Sequence, residues 1–397
     1  MKNILIKFGK ISGVLRRDGF WAGMKTIFSR YLFLYLKTIF SPVTGDVLII
    51  TGGVGDSAHY RAFNQAEELN LHGIKTSVMM AGNPFLSRYA NKCKVFIFQR
   101  TLVTPIVAKL IENIKAQNKE IIFETDDLVF DAKFIRATDL YRNKMNAAEK
   151  LQYQKGVGAE LMQDPYVKVC TTTTTYLAKI LGSYGKKVFI VTNKFSNHDL
   201  EVTQNILDNI PKAKDAAVRL GYFSGTASHN QDFASIADAL MQVMEKYVNV
   251  KLFLAGPLDT ENKLNRFKER IVVLPFVPRD KYYENIWQVD VALAPLITGD
   301  QFCESKSAIK FTEAGLLKIP TVAVKNQTFS EAIADGVDGF LAGDMAEWAE
   351  KIGRLIEDAD LRRAMGEKAR EKVLYDYTNK NSHTEDYYSY LRHIITD

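Results

Sequence analysis

From Asp46 onward the chain alternates two patterns: short apolar runs that close on polar or glycine-rich clusters, and longer stretches with apolar residues at helical spacing. Strands of this kind alternating with amphipathic helices predict parallel sheets built from βαβ units. "DVLIITGG", "KTSVMMAG", "VFIFQR", "EIIFETDD", "VKVCTTT" and "VFIVTN" are the strands of one Rossmann-like domain, expected over 45–205. "VRLGYFSG", "VKLFLAG", "IVVLPFV", "VDVALAPL" and "IPTVAV" are those of a second, over 206–376. "NHDLEVTQNILDNIPKAKDA" reads as the linker region. The helical stretches from "WAEKIGRLIEDADLRRAMG" end in "TEDYYSYLRHII", and residues 377–397 are expected to pack back on the first domain. Both halves open with a strand, a glycine turn, a histidine and a helix ("TGGVGDSAH" and "SGTASHN"), a weak internal repeat.

Length agrees with this division, because 397 residues exceed what one hydrophobic core usually organises. With 47% hydrophobic and 25% charged residues, disorder and low complexity are excluded. Cys93, Cys170 and Cys303 show neither disulfide-framework nor zinc-site spacing, so a reducing cytoplasm and no metal site are expected.

Charge changes the picture at the N-terminus. The net charge is +6, yet residues 1–44 hold eight lysines and arginines against Asp18 alone. Phe20, Trp21, Phe28, Tyr31, Phe33, Tyr35 and Phe40 interleave with them. The apolar run "YLFLYL" is too short to span a bilayer, which takes about 20 residues. A basic aromatic helix without a span fits the surface of an anionic membrane, and it also fits packing on the protein body. No nucleic-acid motif accompanies the charge, so nucleic acid is not expected as a partner.

The candidate chemistry sits where strands end, since open α/β sheets bind ligands beyond the carboxyl ends of their strands. In "TGGVGDSAHYR", Gly52, Gly53 and Gly55 permit a tight turn that brings backbone N–H groups to an anion, and His59 and Arg61 add a titratable donor and a fixed cation. Arg100 ends one strand. Glu124, Asp126 and Asp127 end the next, where carboxylates can hold sugar hydroxyls, act as a base or cap a helix. Gly225, Thr226 and His229 repeat the turn arrangement in the second half. In "FCESKSAIKFTEAG", a helix beginning near Ser305 puts Lys306, Lys310 and Glu313 on one face. Cations in a first helical turn oppose the helix dipole, and a docked anion removes that conflict.

With "LGYFSGT", "VKLFLAG", "VLPFVPRDKYYENIWQVDVALAPL", "KSAIKFTEAGLLKIPTVAV" and "IADGVDGFLAGDMAEWAEKIGRLIEDADLRRAMGEKAREKV", residues 218–377 resemble the retaining GT-B glycosyltransferases of the glycosyl transferase group 1, family 4 type. More loosely, "HYRAFNQAEELNLHG", "FQR" and "TDDLVFD" look like a subgroup acting in surface polysaccharide assembly. The resemblance implies an α/β GT-B fold of two Rossmann-like domains facing across a cleft, with the basic helical extension in front. It implies a nucleotide-sugar donor on the C-terminal domain, an acceptor on the N-terminal one, and no bound metal or cofactor. Glu313 matches the second glutamate of the family's Glu-x7-Glu motif, which holds the donor ribose. The first glutamate position is Ser305 here, with Glu304 one place further out, and Thr226, Ser228 and His229 stand where the family has Arg and Lys after "SG".

The expected activity is therefore transfer of a sugar from a nucleotide sugar to a lipid-linked or polysaccharide acceptor. The enzyme is expected in the cytoplasm, peripheral to the inner face of the cell membrane through residues 1–44. Gly53, Gly55, Gly225, Thr226, His229, Glu304, Lys306, Lys310 and Glu313 are assigned to the donor, and Arg61, Arg100 and Glu124 to the acceptor. His59, Asp126, Asp127 and Lys310 are assigned to catalysis, Lys310 taking the diphosphate charge that the missing loop cations would meet. A nucleotide-sugar epimerase, a phosphorylase or a non-catalytic sugar- or membrane-binding scaffold of the same fold are the alternatives.

Overall fold

The computed structural model describes residues 42–396 except 54, 139, 214, 225–229, 257, 259–261 and 276. The membrane-surface segment expected over 1–44 lies outside the described residues but for 42–44, and Gly225, Thr226 and His229 lie outside them as well. The chain separates into two compact units. One runs to Lys194 and takes back Ser382–Asp397, and the other is Phe195–Asn381.

Unit 1 holds strands β1 (Val47–Thr51), β2 (Thr76–Met80), β3 (Val95–Gln99), β4 (Glu120–Glu124), β5 (Val169–Thr172) and β6 (Lys187–Ile190), in the all-parallel order β2-β1-β3-β4-β5-β6. Unit 2 holds β7 (Val218–Phe223), β8 (Val250–Ala255), β9 (Ile271–Leu274), β10 (Val291–Ala294), β11 (Thr321–Val324) and β12 (Phe340–Ala342), parallel in the order β12-β11-β10-β7-β8-β9. Most of these strands are buried along their whole length, as sheets covered on both faces by helices require. The orders reverse at β1/β3 in unit 1 and at β7/β10 in unit 2. Loops diverge at such switch points and leave room for ligands.

The sequence reading differs from the structure in three places. The stretch taken as a linker is the helix Asn197–Asn209 of unit 2, so the division falls after Lys194 and not at 205. Its signal was a capping box, in which Ser196 accepts from Asp199 N and the Asp199 carboxylate accepts from Ser196 N. The short strand β12 comes after "IPTVAV", the last strand that the sequence reading names. The helix expected from Ser305 begins at Ile309, because Asp300 caps a separate short helix, Gln301–Glu304, that uses up the first part of the segment.

The last helix, Glu385–Thr396, belongs to unit 1 and buries Tyr387, Tyr388 and Leu391 against its core. One buried carboxylate ties it there. Glu68 accepts from Lys194 Nζ at 3.0 Å, Ser382 Oγ at 2.7 Å, Thr384 Oγ1 at 3.1 Å and the Tyr388 hydroxyl. Burial alone would raise its pKa, but Lys194 and these hydroxyls outweigh that and hold it below the ordinary carboxylate value.

Candidate functional site

In unit 2 the helix Ile309–Leu316 follows β10, with Phe311, Thr312, Ala314, Gly315 and Leu316 packed inward. Lys310 lies in its first turn. Its Nζ donates to the carbonyl of Phe223, the last residue of β7, and lies 5.0 Å from the centre of the Tyr222 ring. Lys310 thus ties the helix that comes after β10 to the end of β7, the other strand of the switch point. Burial lowers its pKa from the ordinary lysine value, with Glu313 and Asp232 opposing the shift. An ammonium desolvated in this way gains from an arriving anion more than an exposed one would.

One turn on, Glu313 is buried and held by a neighbouring helix. Arg279 Nη2 donates to Oε1 at 2.8 Å and the Tyr282 hydroxyl donates to Oε2 at 2.9 Å. Both come from the helix Arg279–Trp287. Arg279 Nε also lies 3.8 Å from Asp199 Oδ1, and Asp199 accepts from the Tyr283 hydroxyl at 3.0 Å. Burial pushes the Tyr283 phenol well above its ordinary pKa, so it stays a donor. Arg279, Tyr282 and Asp199 escaped the sequence reading. The signal was available for Arg279, which occupies the first position of its helix against the dipole, as Lys310 nearly does in its own.

Lys306 and Glu304 lie outside the helix that carries this pair. Lys306 precedes the helix and sits 4.1 Å over the Phe302 ring. Glu304 closes the short helix and accepts from Gly299 N at 3.1 Å. The expected common face of Lys306, Lys310 and Glu313 is therefore corrected to Lys310 and Glu313 alone. After β8, Gly256 has φ +104°, and a Cβ there would fall 2.0 Å from the Ser224 carbonyl oxygen, so the turn behind β7 requires glycine.

In unit 1 the switch point brings Gly52, after β1, against Arg100, after β3. A Cβ on Gly52 would lie 2.4 Å from the Arg100 carbonyl oxygen. Gly53 and Gly55, singled out by the sequence, have open space where a Cβ would be. Arg100 itself is left-handed at φ 42°, a conformation that costs a non-glycine residue about 1–2 kcal/mol. Its guanidinium meets Asp126 Oδ1 at 3.2 Å from Nε and Asp127 Oδ2 at 3.1 Å from Nη2. These carboxylates hold the Arg100 pKa above its ordinary value although burial opposes them. The expected helix cap is Asp131, not this pair.

The residues His59–Asn64 form a π-helical turn, a geometry that helical spacing in sequence does not announce. It carries Arg61 inward. Arg61 donates to Glu124 Oε1 from Nε at 2.7 Å and to Oε2 from Nη2 at 2.9 Å, with side chains 1% and 0% exposed. Thr171 Oγ1 donates to the same carboxylate, and Arg61 Nη1 donates to the Val191 carbonyl. Neither residue presents a surface to an acceptor, so the structure corrects that assignment to an internal brace between β4 and the π-helical turn His59–Asn64. His59 is half-buried, with Asn64 Nδ2 3.3 Å from its Nε2.

Among the described residues no group of three or more His, Cys, Asp or Glu is arranged to hold a metal, and no helix is long and apolar enough to cross a membrane. The three cysteines are free and buried.

Residues 218–358 match the family model for glycosyl transferases group 1, about a third of the chain. No curated protein matches the chain. Among solved structures, Anabaena HepE in complex with UDP-glucose is similar with a TM-score of 0.54 at 14% identity, over 87% of this chain and 99% of that one. Sucrose-phosphate synthase from Thermosynechococcus elongatus gives 0.58 at 11% identity, over 89% and 100%. A glycosyltransferase from Rickettsia africae gives 0.58 at 12%, again over 89% and 100%. At these identities the likeness establishes the fold, two Rossmann-like units of the GT-B kind.

Proposed function

We propose that the protein is a retaining glycosyltransferase that moves a sugar from a nucleotide-sugar donor to a lipid-linked or polysaccharide acceptor in cell-surface glycan synthesis. The observation that carries this reading is the pairing of Lys310 and Glu313 at the switch point of unit 2, one bonded to the end of β7 and the other held by a neighbouring helix. The match of residues 218–358 and the nucleotide sugar bound by HepE support the substrate class.

The donor's ribose hydroxyls donate to Glu313, an acceptor-only group when ionised. Its diphosphate lies by Lys310 and the first N–H groups of the helix Ile309–Leu316. As the glycosidic bond breaks, negative charge grows on the departing diphosphate, and a positioned cation with little water around it stabilises that charge. The acceptor hydroxyl attacks from the face the leaving group vacates, and a leaving-group oxygen takes its proton. No side-chain nucleophile is then required.

On unit 1, Arg100, Asp126, Asp127 and His59 are assigned to the acceptor. The two carboxylates share one guanidinium, which leaves a net negative, hydrogen-bonding rim suited to a neutral polyol. Residues 1–44 are assigned to an anionic membrane surface at the cytoplasmic face.

A panel of UDP-, GDP- and ADP-sugars, assayed for hydrolysis and for transfer to lipid-linked and polysaccharide acceptors, tests the activity. One donor should release nucleotide efficiently only with acceptor present. Absence of turnover together with no thermal stabilisation by UDP, GDP or ADP would refute the donor site.

A further inference from the structure

Arg279 stands where a cation is least at home, at the first position of a helix whose dipole already presents positive charge there. It is nearly buried, with 11% of its side chain exposed, so its retention calls for strong partners. Glu313 supplies the nearer one at 2.8 Å and Asp199 the second at 3.8 Å. The guanidinium also lies 5.5 Å from the centre of the Tyr283 ring, whose hydroxyl holds Asp199 in turn. Tyr282, three residues after Arg279 and on the same helix face, reaches the other Glu313 oxygen at 2.9 Å.

Each oxygen of the Glu313 carboxylate therefore has its own anchor, and both anchors come from one helix that is not Glu313's own. A free glutamate side chain loses about 1–2 kcal/mol of rotamer freedom when a ligand fixes it. A carboxylate fixed in advance spares the ligand that cost. Two anchors also define the plane of the carboxylate, which one anchor would leave free to turn. A ribose presents two neighbouring O–H donors, and a carboxylate meets both only when its plane is set.

We propose that Arg279 and Tyr282 are positioning residues that set the Glu313 carboxylate to receive both hydroxyls of a nucleotide ribose. The proposal rests on the assignment of Glu313 to the ribose. It adds that discrimination between ribose and 2′-deoxyribose depends on the helix Arg279–Trp287 as well as on Glu313.

The test measures dissociation constants of UDP, GDP and ADP, each beside its 2′-deoxy counterpart, for the full chain and for Glu313→Gln, Tyr282→Phe, Arg279→Lys and, as a control on the exposed side of the same helix, Asp280→Asn. The unaltered protein should prefer one ribonucleotide over its deoxy form by about tenfold or more, the scale of a hydrogen bond to a charged group. Glu313→Gln should bring the ratio close to unity. Tyr282→Phe and Arg279→Lys should cut it to about threefold or less while the deoxynucleotide binds nearly as before, and Asp280→Asn should leave it alone. A merely structural role would weaken both nucleotides together. If both anchor variants keep the full ratio while Glu313→Gln loses it, the positioning role is refuted and the ribose assignment stands. If Glu313→Gln keeps the ratio, or no nucleotide binds the unaltered protein, the ribose assignment falls and the positioning role falls with it.

Discussion

The two switch points use charge in opposite ways. In unit 1 a cation is matched or outnumbered by carboxylates at each step, Arg61 by Glu124 and Arg100 by Asp126 and Asp127. In unit 2 the ammonium of Lys310 rests on a backbone carbonyl and an aromatic ring, and Glu313 is shared between a guanidinium and a phenol. The first arrangement is rigid and net negative, which suits neutral hydroxyl groups and repels a diphosphate. The second keeps an under-hydrated cation at a helix start, which suits an anion. The same strand-end position on similar sheets is thus suited to two kinds of ligand, and the difference lies in which charges are already satisfied.

That contrast breaks most visibly at Arg61. Arg61→Ala leaves the Glu124 carboxylate buried without its guanidinium and should cost about 3–5 kcal/mol of stability, read from the denaturant midpoint of unit 1. The double replacement Arg61→Met with Glu124→Leu should cost markedly less. Equal losses would mean that the pair is not the internal brace described.

Lys310→Ala should lower turnover about a hundredfold or more, the scale of removing one transition-state donor, while the denaturant midpoint moves little by comparison. A loss of only a few-fold with donor affinity unchanged would remove Lys310 from the diphosphate. The pH dependence sharpens this. A lysine whose pKa is depressed by burial loses its proton as the pH rises through a value below the ordinary lysine one. Nucleoside diphosphate affinity should therefore fall on the alkaline side before the ordinary lysine range is reached. Lys310→Arg, which does not deprotonate there, should flatten the profile.

The smallest effect concerns the left-handed backbone at Arg100. Arg100→Gly should be about 1 kcal/mol more stable than Arg100→Ala, since only glycine adopts φ 42° at little cost. Both should impair transfer while leaving nucleotide binding intact. Equal stabilities would show that the turn relaxes without its side chain, and the rim would then owe nothing to backbone strain.

Much of the fold was legible because β1 to β11 are apolar runs closed by turn residues, a signal that depends on burial alone. β12 was not, because three residues between glycines look like a turn. Lys310 and Glu313 were singled out by a conflict with the helix dipole and by a motif, and the structure places both at one switch point. Arg61 and Glu124 escape the sequence because their ion pair joins residues 63 apart, one in the π-helical turn of "HYRAFN" and the other at the end of β4. Gly52 reads in sequence only as one of three turn glycines, with Gly53 and Gly55, because the close approach of the Arg100 backbone is invisible in the β1 segment. Arg279 and Tyr282 reach Glu313 from 34 and 31 residues away, a separation no local pattern records.

Hydrogen–deuterium exchange with UDP, GDP and ADP tests the central claim, that nucleotide binds unit 2 and not unit 1. The nucleotide that binds should protect the end of β7 and the helix Ile309–Leu316 while exchange at Gly52–Arg61 and Arg100–Asp127 stays unchanged. Protection confined to those unit 1 segments, with the helix of Lys310 and Glu313 unaffected, would contradict it.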